Sequence, residues 1–398
     1  MPEVSFTALA AVMAVAFLTP LLLGLLPRSP VPSVVVEVVL GIVLGPAVLG
    51  WVEADEVVRI IAIVGLAFLL FLAGLELDLR RLRGPVLRLG LVGFAASLVL
   101  AGLVGFGLDA AGLVEDPLLA GLILTATSLG LVIGVLKETD QASTATGQLV
   151  IVGASIGDVA AIVLLSVLFS AEGSGAGAQL VLLVEYVLLV GAIALAVALA
   201  GRSARVAATL VRLQDTTAEI RVRGAVLLVV VLVVLAERFG LETILGAFVA
   251  GALVGLIDRD EVMNHPQFRP KVEAVGYGFV VPVFFVASGV TFDLDALLDG
   301  PSTLALVPLL LACLLLVRGV PALLYRSMTG TRGALAAGLL QATSLPFIVA
   351  ATMIGEELGA IAPGTSAAFV GAGLLSAIVF PAVAVGLLSS PPAPAAAS

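Results

Sequence analysis

Charge is the scarcest commodity in this 398-residue chain. Asp, Glu, Lys and Arg make up 12% of it, against 61% hydrophobic residues and a mean hydropathy of +1.24. A soluble globular domain carries about twice that share of charge, so a water-solvated fold is excluded. Cysteine is almost missing too: Cys313 stands alone, which rules out an internal disulfide. Histidine occurs once, as His265 in a polar loop, so a histidine metal cluster is excluded. No basic residues precede the first apolar run, and no cleavable leader is expected. No polar stretch is long enough for a soluble domain, and no nucleotide-binding glycine loop stands out. Neither a nucleophile–base pair nor a metal-ligand set is present, so an enzyme, a cofactor and a nucleic-acid partner are not expected.

What the chain has instead is long apolar runs of Leu, Val, Ala and Gly without period-two alternation. Runs that cross a hydrocarbon core roughly 30 Å thick without alternating must be helices and not barrel strands. Thirteen spans are expected, at about 5–26, 33–51, 58–79, 87–108, 117–136, 146–170, 178–200, 222–238, 241–257, 274–292, 302–325, 333–355 and 363–388. With the N-terminus outside, the loops on the cytoplasmic side hold 16 of the 19 basic residues, among them Arg80, Arg81, Arg83, Arg202 and Arg205. Only Arg59 and Arg238 fall outside, and Arg318 lies within a span. That asymmetry obeys the positive-inside rule and puts the C-terminus in the cytoplasm, in a multi-pass protein of the cell membrane. The net charge of −9 then reflects an acidic outer face.

The tetrapeptide Ala-Thr-Ser-Leu occurs twice, at 126–129 followed by Gly130 and at 342–345 followed by Pro346. Polar residues beside a helix breaker at membrane depth are tolerated where the freed backbone lines a cavity or a site. The copies fall in spans 5 and 12, seven apart, and so run in opposite directions across the bilayer. Gly74-Leu75-Glu76-Leu77-Asp78-Leu79 pairs with Gly289-Val290-Thr291-Phe292-Asp293-Leu294, and Leu40-Gly41 pairs with Leu245-Gly246, at the same span offset. Two six-span halves of inverted topology joined by span 7 are expected, an arrangement that places a transporter's site near the midplane where two broken helices meet.

Ionisable residues inside spans are functional candidates, since each costs roughly 2.5–3.5 kcal/mol to insert. Asp158, in the middle of span 6, is the strongest; a protonated or paired structural carboxyl is its alternative. Arg318 cannot shed its proton, so it balances charge or snorkels to the interface. Glu37 and Glu185 sit within spans, and Glu76, Asp78 and Glu237 at span ends; Glu37 is a possible supporting acid, with interfacial solvation or local pairing the simpler reading for all five. Thr127, Ser128, Thr343 and Ser344 offer hydroxyl oxygens to a small cation, or to carbonyls freed by the breaks. Hard monovalent cations want such oxygens, and a proton and a cation that compete for the Asp158 carboxylate become coupled in opposite directions by alternating access alone.

Pro32 to Glu37 running into Gly41-Ile42-Val43-Leu44-Gly45-Pro46, the Phe71–Asp78 stretch and Gly246–Gly251 together resemble the signature blocks of the Kef/Nap-type monovalent cation:proton antiporters, in that family's order. The resemblance implies the sodium/proton antiporter fold and a homodimer in one transmembrane domain over residues 1–390. Scaffold spans would cover about 5–79 and 222–292, a linker span 178–200, and core spans 87–170 and 302–388. It further implies that Asp158 binds the ion, with Arg318 at the core's basic position, where many members have lysine. Two departures stand out. Members carry an acid or asparagine just before the key aspartate, where this chain has Gly157; charge counting then favours electroneutral exchange. A short Pro/Ala tail, 391–398, stands where Kef-type systems usually have a nucleotide-sensing domain, which argues against regulation in cis and leaves open a separate regulatory subunit. The expected activity is exchange of Na+, K+ or Li+ for protons. The other readings are a Kef-type gated potassium efflux pathway, a sodium-coupled organic-anion symporter and a non-transporting sensor on a degenerate core.

Overall fold

The structure, a computed structural model, describes residues 6–25, 31–77, 84–169, 175–201, 212–213, 216–258 and 267–389. Asp78, His265, the tail 391–398 and several of the basic residues that orient the chain (Arg28, Arg80, Arg81, Arg83, Arg202, Arg205 and Arg259) lie outside the described residues. The described residues form helices and connections, with no strand among them. Among the described residues, eight helical segments are long and apolar enough to cross a membrane and three shorter apolar helices add to them, so the chain is an all-α, multi-pass membrane protein.

Two compact units divide it. The first contains α1 (Thr7–Leu25), most of α2 (Ser33–Leu44), α3 (Glu56–Glu76), α8 (Gly175–Gly201), α9 (Ile220–Arg238), α10 (Thr243–Asp258), α11 (Phe268–Val275) and α12 (Val281–Val290). Glycines let its backbones touch. A Cβ on Gly74 would land on the Phe248 carbonyl oxygen of α10, and one on Gly251 of α10 would land on the Phe71 carbonyl oxygen of α3. Gly41 of α2 and Gly289 of α12 meet in the same way, through the Val286 and Val38 carbonyls. In a membrane, where apolar side chains gain nothing by leaving lipid, such close packing of small residues is what holds helices together. Val12, Val58, Val283 and Val286 fill the apolar cluster beneath α1.

The second unit contains α4 (Gly84–Ala110), α5 (Pro117–Thr125), α6 (Leu129–Glu138), α7 (Ala145–Leu168) as far as Ala161, α13 (Leu294–Leu298), α14 (Pro301–Leu314), α15 (Arg326–Ala342), α16 (Pro346–Glu357) and α17 (Pro363–Ser389). Its helix starts are written locally. Asp116 caps α5 by accepting from the Leu118 and Leu119 N–H groups at 2.8 and 2.9 Å, and Pro117 supplies a first turn that needs no N–H. Gly330, at φ 71°, turns the chain inside α15, a conformation that glycine adopts without strain. Two breaks interrupt the apolar runs. Residues 126–128 separate α5 from α6, and residues 343–345 separate α15 from α16. Pro346 occupies the first turn of α16, where its missing N–H costs nothing. Gly130 is corrected: it lies inside the first turn of α6, so the first break precedes it and is made by Ala126–Ser128.

Candidate functional site

The two breaks are hydrogen-bonded to each other. The Ser128 N–H donates to the Thr343 carbonyl at 2.8 Å, and the Thr127 hydroxyl donates to the Gln341 carbonyl at 2.6 Å. Helix ends leave carbonyls and N–H groups unpaired, and in a membrane water cannot satisfy them cheaply. Here each broken helix satisfies part of the other. The crossing is thereby a fixed polar point inside an apolar unit.

Arg318 sits on it. The run from α14 does not continue as a plain α-helix: Leu315–Gly319 form a π-helical turn and Val320–Tyr325 a 3₁₀ segment. Such irregular turns reorient side chains and gather at functional sites. The Arg318 side chain is 1% exposed, so it does not snorkel. Its Nε and Nη2 donate to the Thr127 hydroxyl at 2.9 and 2.7 Å, and Nη2 also donates to the Gly153 carbonyl at 3.0 Å. Nη1 reaches the Ser97 hydroxyl at 3.4 Å, and the guanidinium lies over the Phe94 ring, 5.5 Å from its centroid. A charge this deep is tolerated only when its donors are satisfied and an opposite charge is near. Asp158, half-buried on α7, is close enough to interact with it electrostatically.

Glycines on α4 and α7 make room for these polar groups. A Cβ at Gly157 would lie 2.9 Å from Arg318 Nη2 and 3.4 Å from its Cζ. The residue before Asp158 is therefore small because the guanidinium occupies the space its side chain would fill. One turn earlier, a Cβ at Gly153 would collide with the Gln341 amide. That amide donates to the Tyr325 hydroxyl at 3.2 Å and towards the Leu149 carbonyl at 3.4 Å. Gly93 in turn gives way to the Tyr325 hydroxyl.

The candidate residues are thus partly gathered and partly committed elsewhere. Thr127 gives its proton to Gln341 and accepts twice from Arg318, so its hydroxyl has no lone pair left for a cation. Its oxygen anchors the arginine. Thr343 turns its hydroxyl back to the Leu339 carbonyl at 3.1 Å. The Ser128 hydroxyl makes no capping bond, and the buried Ser344 hydroxyl has no hydrogen-bond partner. Glu37 belongs to the first unit, where its side chain is buried on α2. Sequence reasoning missed Ser97, Gln341, Tyr325 and Ser376. Ser97 was visible as a lone polar residue in an apolar span, and Gly153 and Gly157 share one helical face at a spacing of four.

A helical protein with two broken, mutually bonded helices beside a buried arginine and a half-buried aspartate has the architecture of an ion transporter. The chain belongs to the family described as "Sodium/hydrogen exchanger, transmembrane", which matches residues 13–389. It is 31% identical over 396 residues to "Putative Na(+)/H(+) antiporter YjbQ" of Bacillus subtilis, an alignment that covers 96% of this chain and 63% of that protein. It thus spans less than two thirds of that relative's length. It is 26% identical over 384 residues to "Probable Na(+)/H(+) antiporter 3" of Methanocaldococcus jannaschii, with 94% of each covered. In fold it resembles the solved sodium proton antiporter MjNhaP1 of the same organism, at a TM-score of 0.61 and 17% identity over 96% of this chain and 97% of that one. This is a family of transporters and not of enzymes.

Proposed function

We propose that the protein is a secondary antiporter that exchanges a monovalent cation, Na+ or K+, for protons in the cell membrane, with cation and proton competing for Asp158. The observation that carries this reading is the fully buried Arg318, bonded to Thr127 of the first break, with Gly157, the residue just before Asp158, packed against its guanidinium. A carboxylate there supplies a charged oxygen, and the unwound segments supply carbonyl and hydroxyl oxygens. Arg318 is the charge partner, a permanent positive charge that offsets the carboxylate while either cargo leaves. The names of the relatives, sodium/proton antiporters, support the same cargo.

One titrating carboxylate that carries either one proton or one cation gives one-for-one, electroneutral exchange. The proposal includes thirteen spans in two inverted halves, an outside N-terminus, a homodimer, and alternating access in which the second unit carries the site. Asp158 is the ligand we assign first, and Ser128 and Ser344 are the hydroxyls free to assist it.

Dissipation of a pH gradient in proteoliposomes, with sodium, potassium and lithium added in turn, tests the reading. The wild-type protein should collapse the gradient only when a transported cation is present, and Asp158→Asn should be silent. Activity unchanged by Asp158→Asn would refute the site, and potassium flux that ignores the pH gradient would favour the gated efflux pathway instead.

A further inference from the structure

Among the hydroxyls at the crossing, Ser128 and Ser344 stand apart, and of the two only Ser344 is fully buried. Thr127, Thr343, Ser376 and Thr352 all donate to a carbonyl. Ser344 is fully buried, and its Oγ has no partner. A buried hydroxyl without a partner forfeits its hydration and receives nothing in return. Serines beside a helix end ordinarily escape this by bonding back to a carbonyl one turn earlier, as Thr343 does.

The backbone of Ser344 explains how the hydroxyl stays free. Its N–H donates to the Ser376 Oγ on α17 at 3.1 Å, and its carbonyl accepts from the same Ser376 Oγ at 2.9 Å. Ser376 shares its proton with the Gly373 carbonyl at 2.8 Å. Gly373 keeps α17 flat there, since a Cβ would lie 3.1 Å from the Ser344 carbonyl oxygen. One hydroxyl from α17 therefore satisfies both peptide groups of an unwound residue. The Ser344 side chain is not needed for that task. Its neighbour Thr343 receives the Ser128 N–H, so Ser344 stands one residue from the point where the two breaks join.

We propose that Ser344 Oγ is a ligand for the transported monovalent cation, and that Ser376 is the positioning residue that presents it. The inference deepens the exchange reading and rests on it. A neutral hydroxyl oxygen suits a partly dehydrated alkali cation and adds no charge to the one-for-one count. When cation binds, the hydroxyl gains the partner it lacks.

Thermal unfolding of the purified full chain in detergent tests this. Sodium, lithium or potassium chloride is titrated against choline chloride at constant ionic strength. Binding to the folded state raises the Tm with cation concentration. Ser344→Ala should match or exceed the wild-type Tm in choline, because it removes an unsatisfied group. It should also need about tenfold more cation for the same rise, the loss of one ligand at an otherwise intact site. Ser376→Ala should lower the Tm in choline and weaken the cation response together, and Ser376→Thr should restore both. A wild-type cation response in Ser344→Ala overturns the ligand assignment. A lower Tm in choline with that same response points to a buried structural water and overturns it equally. Cation-dependent stabilisation without proton exchange in proteoliposomes would sink the antiport reading alone and leave the ligand in place.

Discussion

Arg318 shows how a permanent charge is kept in a membrane without reaching water. Thr127 takes two of its N–H groups, the Gly153 carbonyl one more, and Phe94 covers its face. The guanidinium fork suits this set because its donors are planar and fixed, whereas lysine has a single ammonium head. Arg318→Lys should consequently lower exchange, measured as initial rate in proteoliposomes. Gly157→Ala should do so by a different route. Its Cβ would sit 2.9 Å from Nη2, and overpacking a filled interior costs about 1–3 kcal/mol. If that energy falls on the exchange step, the rate drops roughly five- to 160-fold. Because both changes act on one contact, their effects should not add. A Gly157→Ala/Arg318→Lys double variant should lose less than the product of the single losses, and simple additivity would show that Gly157 does not seat the arginine. At this scale Asp158, Arg318 and the paired Thr-Ser motifs were legible, since polar residues in apolar runs stand out by composition. The roles of the hydroxyls were not, because Thr127 and Ser344 are the same kind of residue in the same motif and differ only in what surrounds them.

Among the helices, the breaks are set locally and used globally. Pro346 marks the second break at its own position. Gly130 was a misleading signal: glycine only weakens a helix by about 1 kcal/mol, and the first break was placed instead by the hydrogen bonds that Thr127 and Ser128 make across the crossing. The π-helical turn at Leu315–Gly319 is marked only indirectly, by Pro321 just after it, which has no N–H to give the Val317 carbonyl and so disturbs an α-helix there. Close helix approaches make a sharper forecast. Gly251→Ala would push a Cβ into the Phe71 carbonyl and should lower thermal stability in detergent by about 1–3 kcal/mol or more. Gly107→Ala on α4 meets nothing within 4 Å and should be neutral or stabilising by up to about 1 kcal/mol. A Gly251→Ala protein as stable as the Gly107→Ala one would show that α3 and α10 do not depend on that contact.

Across the whole molecule, charge bookkeeping over a transport cycle gives the clearest test. If each cycle swaps one proton for one monovalent cation, no net charge crosses the bilayer. An electrogenic cycle would gain or lose about 2.3 kcal/mol per 100 mV per net charge moved. Exchange measured at equal ion gradients should therefore proceed at nearly the same rate with and without an imposed membrane potential. A strong voltage dependence would require a second moving charge, and the buried Glu37 of the first unit would be the first candidate for it. Large apolar side chains such as Phe17, Leu103 and Leu188 stay exposed in the chain itself, which is the surface a lipid solvent accepts and water does not.

By itself, the sequence determined the class of protein and the runs in which its helices break. Composition and run length add up along a chain, and a bilayer of fixed thickness converts them directly into spans; a carboxylate or a broken helix at mid-span is visible for the same reason. Only the tertiary structure decided which oxygen serves which purpose. Thr127 and Arg318 are 191 residues apart, and Ser344 and Ser376 are 32 apart on different helices, so no local pattern links either pair. Each lone pair can be given once. Which hydroxyl holds the arginine, which clamps a peptide and which is left over follows from the packing that brings distant donors within 3 Å.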